Sequence, residues 1–135
     1  ALFPDLTPVM YTVREKTAPQ GYALSASASG SVSVVAGMTA DAVFVNDRIM
    51  GRIRIVKTDS LTGKPLAGAV FTVTRLSGPA SDHAADIGKV VATLTTNAQG
   101  IAETGLLPWG EYKITETSVP DGYLDAGYTA SAWIK

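Results

Sequence analysis

The sequence predicts an all-β protein carrying the back part of one β domain followed by most of a second. Three observations carry this. Apolar runs are short and alternate with polar residues, as half-buried strands require. Turn residues punctuate the chain every few positions, and no stretch shows a convincing amphipathic-helix period. Finally, one phrase occurs twice: Tyr11–Tyr22 reads YTVREKTAPQGY and Tyr112–Tyr123 reads YKITETSVPDGY, at an offset of 112 − 11 = 101 positions. A period near 100 residues is that of whole domains in tandem, not of a solenoid.

Taken in order, residues 1–10 lead in, with Pro4 and Pro8 marking loop or strand edge. A strand is expected over Tyr11–Thr17, a turn over Ala18–Gly21, and a strand over Tyr22–Ala36 broken near Ser29–Gly30. Ala42–Asn46 (AVFVN) reads as a short strand and Asn46–Gly51 as a joint. A new pattern opens with the strand Arg52–Thr58 (RIRIVKT), followed by the turn Asp59–Gly63 and the strand Ala69–Leu76, whose inward face is Ala69, Phe71 and Val73. Ser77–Gly88 is a polar loop; Ser81–Ile87 within it has the makings of a single helical turn but reads as loop. Strands over Lys89–Thr95 and Ile101–Thr104, with a turn at Asn97–Gly100 between them, lead through Gly105–Gly110 to the second copy of the repeat. Tyr123–Lys135 reads as a last strand.

The offset frames the domains. Lys135 aligns with Val34, so the second copy stops before any equivalent of Val35–Asn46, and the first copy lacks everything matching Gly51–Ile101. The expected organisation is the C-terminal part of a domain at 1–47, a linker at 48–51, and a second domain at 52–135 lacking its final strand. With Ala1 in place of an initiator Met and no signal peptide, the chain reads as a mature region or an excised fragment.

Composition removes several function classes. The formal net charge is −1 and only 17% of the 135 residues are charged, which gives no electrostatic case for nucleic acid or an anionic membrane. Apolar runs are strand-sized, so no membrane span is expected. Cysteine is absent, which removes disulfides and thiolate chemistry, and a small secreted domain would then need another staple. The single histidine, His83, lies in the polar loop and leaves no Ser–His–Asp site or zinc cluster. Phosphate-binding glycine loops are missing, and no cofactor is expected. Leu106–Gly110 (LLPWG) lacks the ending of a sortase signal and reads as the loop before the repeated strand; Trp109 and Trp133 read as core or edge residues.

Four polar residues break their surroundings. Alternation puts Ile53, Ile55 and Lys57 on one face and Arg52, Arg54 and Val56 on the other, so Lys57 points inward. Taken alone it reads as a strand-end lysine whose ammonium reaches water. Glu116 shares the face of Tyr112 and Ile114, and Glu15 that of Tyr11 and Val13. A carboxylate there either binds the backbone of the Pro–x–Gly turn or meets a partner. Asn46 closes the face of Ala42 and Phe44 and by itself reads as a turn or cap residue; Asn97 sits in a turn and is structural. Together, a buried amine, carboxyl and carboxamide suggest one reaction. An amine in apolar surroundings loses its proton more easily and a carboxyl holds its own more tightly. The amine attacks the carboxamide, the acid polarises it and shuttles protons, and ammonia leaves an isopeptide bond.

KTDSLTGKPLAGAVFTV and YKITETSVPDGY resemble the Cna-B type domain (prealbumin-like, inverse immunoglobulin sandwich) of Gram-positive surface adhesins and pilins, the second matching that family's E-box. The resemblance covers essentially the whole chain in two registers. It implies that Lys57 is the reactive first-strand lysine, Glu116 the E-box acid, Glu15 the equivalent acid of the preceding domain and Asn46 its last-strand asparagine. It also implies that Lys57 and Asn46 belong to different domains, each with its partner outside this chain. The bonding strands of the family run parallel, which needs a crossover of roughly a dozen residues, far longer than Asp47–Gly51.

The function so implied is mechanical: a stalk or shaft module of an extracellular, cell-wall-anchored adhesin or pilus, single-turnover and not an enzyme. Its partners are neighbouring domains of the same surface protein or pilus subunits. The rival reading is a ligand-binding adhesin module that grips host matrix protein or glycan through loops such as Ser77–Gly88. A transthyretin-like metabolic enzyme is the third, and the single loop histidine argues against it.

Overall fold

Side-chain alternation is realised most fully in the second half of the chain. The computed structural model describes residues 1–79 and 83–135, and the chain divides into two units, Ala1–Asp47 and Arg48–Lys135. The described residues are all-β apart from one 3-10 turn at Ala84–Asp86. That turn corrects the reading of this stretch as loop; Ser81 and Asp82 lie outside the described residues. Its backbone closes through Asp86 N–H to His83 O at 3.0 Å and Ile87 N–H to Ala84 O at 3.2 Å.

In the first unit, β1 (Met10–Arg14) pairs antiparallel with β3 (Ser29–Ser33), in the register Tyr11 to Val32 and Val13 to Gly30. β2 (Tyr22–Ala23) is only two residues long. The strand expected over Ala42–Asn46 is not formed. A strand exists only through a ladder, and β1 and β3 pair with each other and not with this segment. β4 (Asp47–Arg48) falls across the division between the units.

The second unit is built on a four-stranded antiparallel sheet in the order β12–β11–β7–β8, comprising Thr129–Ile134, Gly110–Ser118, Val70–Arg75 and Val90–Thr95. Two further antiparallel pairs complete it, β6 (Arg54–Val56) with β9 (Ile101–Glu103) and β5 (Met50–Gly51) with β10 (Leu107–Pro108). The joint expected around 48–51 thus carries paired strand in its last two residues. The expected inward face of β7 is buried, with Ala69, Phe71 and Val73 joining Ile53, Tyr112, Ile114 and Ile134 in one core cluster and Ile55 packed against it. Each of the valine, isoleucine and phenylalanine side chains among them contributes about 1.5–3 kcal/mol on burial. Ile53 and Ile55 come from the β6 segment and Phe71, Val73, Tyr112 and Ile114 from the four-stranded sheet, so the core lies between two β layers, as in a sandwich.

Two buried threonines match backbone groups at the edges of this core. Thr104 Oγ1 accepts the Ile53 N–H at 3.0 Å, and Thr96 Oγ1 accepts the Ala69 N–H at 3.0 Å while donating to Leu66 O at 2.8 Å. The first bond anchors the start of the segment that leads to Lys57, and the second anchors the start of β7.

Candidate functional site

Lys57 follows β6 on the face of Ile53 and Ile55, where alternation puts it. Its backbone is held twice, with N–H donating to Gly100 O at 2.8 Å and O accepting the Leu66 N–H at 3.0 Å. Gly100 has a φ of +70°, and a Cβ there would sit 2.4 Å from Lys57 O. The turn that closes under Lys57 therefore requires glycine, because an L side chain would be strained and would displace the lysine backbone.

Glu116 sits on β11 opposite Phe71, with Tyr112 and Ile114 on the same buried face. The register slips between Glu116 and Ser118, so a bulge follows the glutamate at once. The Glu116 backbone N–H donates to Tyr128 O at 3.0 Å. Lys57 Nζ lies 3.0 Å from Glu116 Oε2, with the glutamate side chain 1% exposed and the lysine side chain 26% exposed. Glu116 Oε1 is buried and has no hydrogen-bond partner. A shallow groove of about 200 Å³ opens beside the lysine, lined by Ile55, Val56, Lys57, Thr58, Phe71 and Tyr128.

The first unit holds a different pair. Glu15 ends the β1 segment, its N–H donating to Ala28 O at 2.8 Å. Asn46 Nδ2 donates to Glu15 Oε1 at 2.8 Å. Glu15 Oε2 and Asn46 Oδ1 are buried without partners. The four residues singled out in the sequence thus meet two by two, lysine with glutamate in one unit and glutamate with asparagine in the other. A hollow of the first unit, about 700 Å³, is lined by residues such as Val13, Val32 and Phe44 and by neither Glu15 nor Asn46.

The repeat is matched by geometry. In each copy the Pro–x–Gly turn closes by a tyrosine N–H to the proline carbonyl, Tyr22 to Pro19 at 3.0 Å and Tyr123 to Pro120 at 3.2 Å. The intervening glycines, Gly21 and Gly122, have φ of 87° and 86°. In each copy the first tyrosine hydroxyl donates to the carbonyl four residues back, Tyr11 to Thr7 O at 3.1 Å and Tyr112 to Pro108 O at 2.7 Å. The tyrosine contacts are invisible in one-dimensional alternation, which reports the face of a side chain but not what its tip reaches.

A match to the prealbumin-like fold domain SpaA covers residues 51–131, more than half of the chain. The chain belongs to the SpaA prealbumin-like fold family. Among solved structures, a Bacillus anthracis TIE protein is similar at 32% identity and a TM-score of 0.80, over 96% of this chain and 23% of that one. A streptococcal ancillary pilin shares the fold at 24% identity and a TM-score of 0.51, over 97% of this chain and 39% of that one. This chain therefore spans well under half of either relative. No curated protein matches it.

Other expected features of this SpaA-family chain fall as follows. His83 is exposed, its Nδ1 3.3 Å from Asp86 Oδ2. Among the described residues no cluster of three or more His, Cys, Asp or Glu is arranged to hold a metal ion, and no helix is long and apolar enough to cross a membrane. Trp133 is half-exposed, but its edge meets Trp109 at 5.7 Å and the Lys135 ammonium lies 5.3 Å from its ring centre, so this chain's own side chains occupy it. Sequence reading missed Arg75, which continues the inward parity of Phe71 and Val73 and is buried. It donates to His83 O at 2.8 Å and Trp109 O at 3.2 Å, tying the polar loop to the segment before β11. Parity was the signal for it, outweighed by the usual surface preference of arginine.

Proposed function

We propose that this chain is a stalk or shaft module of a bacterial cell-surface adhesin or pilus, stabilised by autocatalytic Lys–Asn isopeptide bonds. One observation carries the reading. Each unit sets a glutamate, buried at Glu116 and half-buried at Glu15, against one member of a lysine–asparagine couple and leaves a buried carboxylate oxygen unpartnered, Glu116 with Lys57 and Glu15 with Asn46. A buried acceptor without a partner is costly, of order 1–3 kcal/mol, and such a group calls for a function. The fold shared with an ancillary pilin agrees with a surface role.

In the proposed reaction Lys57 Nζ passes a proton to Glu116, and the resulting amine attacks the carboxamide carbon of an asparagine entering the groove. Glu116 hydrogen-bonds the carbonyl oxygen, then relays a proton to the departing nitrogen. The C–N bond to nitrogen of the carboxamide breaks, the bond to Nζ forms, and ammonia leaves with the surplus proton. Glu15 and Asn46 are the acid and carboxamide of the same reaction in the first unit, where the amine comes from outside these 135 residues. The bond ties first strand to last, so pulling force does not peel them apart. Closing a loop of nearly a whole domain contributes on the order of 4–5 kcal/mol by the loop-entropy relation for cross-links. The chain turns over once and is not an enzyme.

The test is intact mass. A copy of Val35–Asn46 appended after Lys135 supplies the second unit with the carboxamide that the repeat assigns to it. The lengthened chain is expected about 17 Da below its sequence mass, with Lys57→Ala and Glu116→Ala each restoring full mass. An unshifted mass in the lengthened wild type refutes the isopeptide reading of this unit.

A further inference from the structure

Two residues beyond Lys57, Asp59 is held on every polar atom. Its N–H donates to Lys64 O at 2.8 Å and its O accepts the Gly63 N–H at 2.9 Å. Oδ1 accepts the N–H groups of Leu61 and Thr62, both at 2.8 Å. That leaves Oδ2, which accepts the Tyr123 hydroxyl at 2.7 Å. Tyr123 closes the turn after β11, the strand that carries Glu116. The same two segments are thus joined twice, by Lys57–Glu116 and, at their outer ends, by Asp59–Tyr123. The second link matters because the β11–β7 register slips directly after Glu116 and resumes only in the single pair Ser118–Val70, so little ladder pairing holds the strand's alignment past the glutamate.

We propose that Asp59 and Tyr123 form a positioning clasp that holds the segment bearing Glu116 onto the turn following Lys57, keeping the amine on the carboxylate. A phenol donating to a carboxylate at this distance is a charge-assisted bond, of order twice the strength of a neutral one. Its acceptor is fixed by a turn and its donor by a Pro–x–Gly closure, so little orientational freedom remains to be lost when it forms. The hydrogen bonds to Asp59 leave their mark on its acidity: the Thr62 N–H, then the Tyr123 hydroxyl and the Leu61 N–H, hold the carboxyl at about 2 in place of 3.8. Its effect on the rate of bond formation rests on the reaction proposed above; its effect on the lysine does not.

The test is Tyr123→Phe, which removes one hydroxyl and leaves the Asp59 turn intact. In the 135-residue chain, pulse acetylation read by peptide mapping should modify Lys57 several-fold faster than in the wild type, relative to exposed Lys113. In the chain carrying the appended Val35–Asn46, ammonia loss should slow by about tenfold while reaching the same final mass, as expected when orientation rather than chemistry is lost. Asp59→Asn, which keeps the turn contacts but replaces the charge-assisted bond to the phenol with a neutral one, should fall between the wild type and Tyr123→Phe in both. Lys57 acetylation unchanged by Tyr123→Phe overturns the clasp. If the lengthened wild type loses no ammonia but acetylation responds, the isopeptide reading falls and the clasp stands.

Discussion

Replacing either member of the Lys57–Glu116 pair in the 135-residue chain should have unequal consequences, because their environments differ. Lys57→Ala removes the single hydrogen-bond partner of Glu116 Oε2 and leaves a carboxylate whose side chain is 1% exposed. An uncompensated buried charge of this kind costs about 3–5 kcal/mol. Its other oxygen has no partner to share the loss. Glu116→Ala instead leaves a lysine that is 26% exposed and able to turn its ammonium to water, so its cost is about 1–2 kcal/mol. Both tryptophans, Trp109 and Trp133, lie in the second unit, and tryptophan fluorescence during urea unfolding therefore reads that unit alone. With a slope of about 1–2 kcal/mol per molar urea for a unit of this size, Lys57→Ala should lower the midpoint by about 2 M or more and Glu116→Ala by about 1 M. The double variant should be less destabilised than the sum of the two, since the charge stranded by one is absent in the other. Equal midpoints for the single variants, or a Lys57→Ala shift smaller than that of Glu116→Ala, would refute the electrostatic asymmetry.

Gly100→Ala forces a Cβ to 2.4 Å from Lys57 O at a φ of +70°. It should destabilise the unit by more than about 1 kcal/mol in the same urea titration and, in the lengthened chain, slow ammonia loss through the displaced lysine. The Asp59 carboxyl, depressed from 3.8 to about 2, should titrate near that lower value when its side-chain carbon is followed by NMR. Since the folded value lies below the unfolded one, its contribution to stability is present above pH 3.8 and disappears as pH falls through about 2. Tyr123, raised above its usual 10.0 chiefly by its hydrogen bond to Asp59, gives the opposite limb, with its contribution present below pH 10 and lost as pH rises through the folded value.

The sequence alone determined the β class, the repeat, the inward parity of Ile53, Ile55 and Lys57, and the face shared by Tyr112, Ile114 and Glu116. These follow from a period of two, which local sterics impose on any strand. It also singled out the four polar residues, because a charged or amide group on an apolar face is an exception legible without coordinates. Tertiary structure alone decided what each of them touches. That Lys57 meets Glu116 across 59 positions, and Asn46 meets Glu15 across 31, depends on which strands lie side by side. The same holds for the absent Ala42–Asn46 ladder, for buried Arg75 and for the Asp59–Tyr123 bond. A strand needs a neighbouring backbone and a buried cation needs carbonyls from distant segments, and neither is encoded within the few residues over which propensity and alternation act.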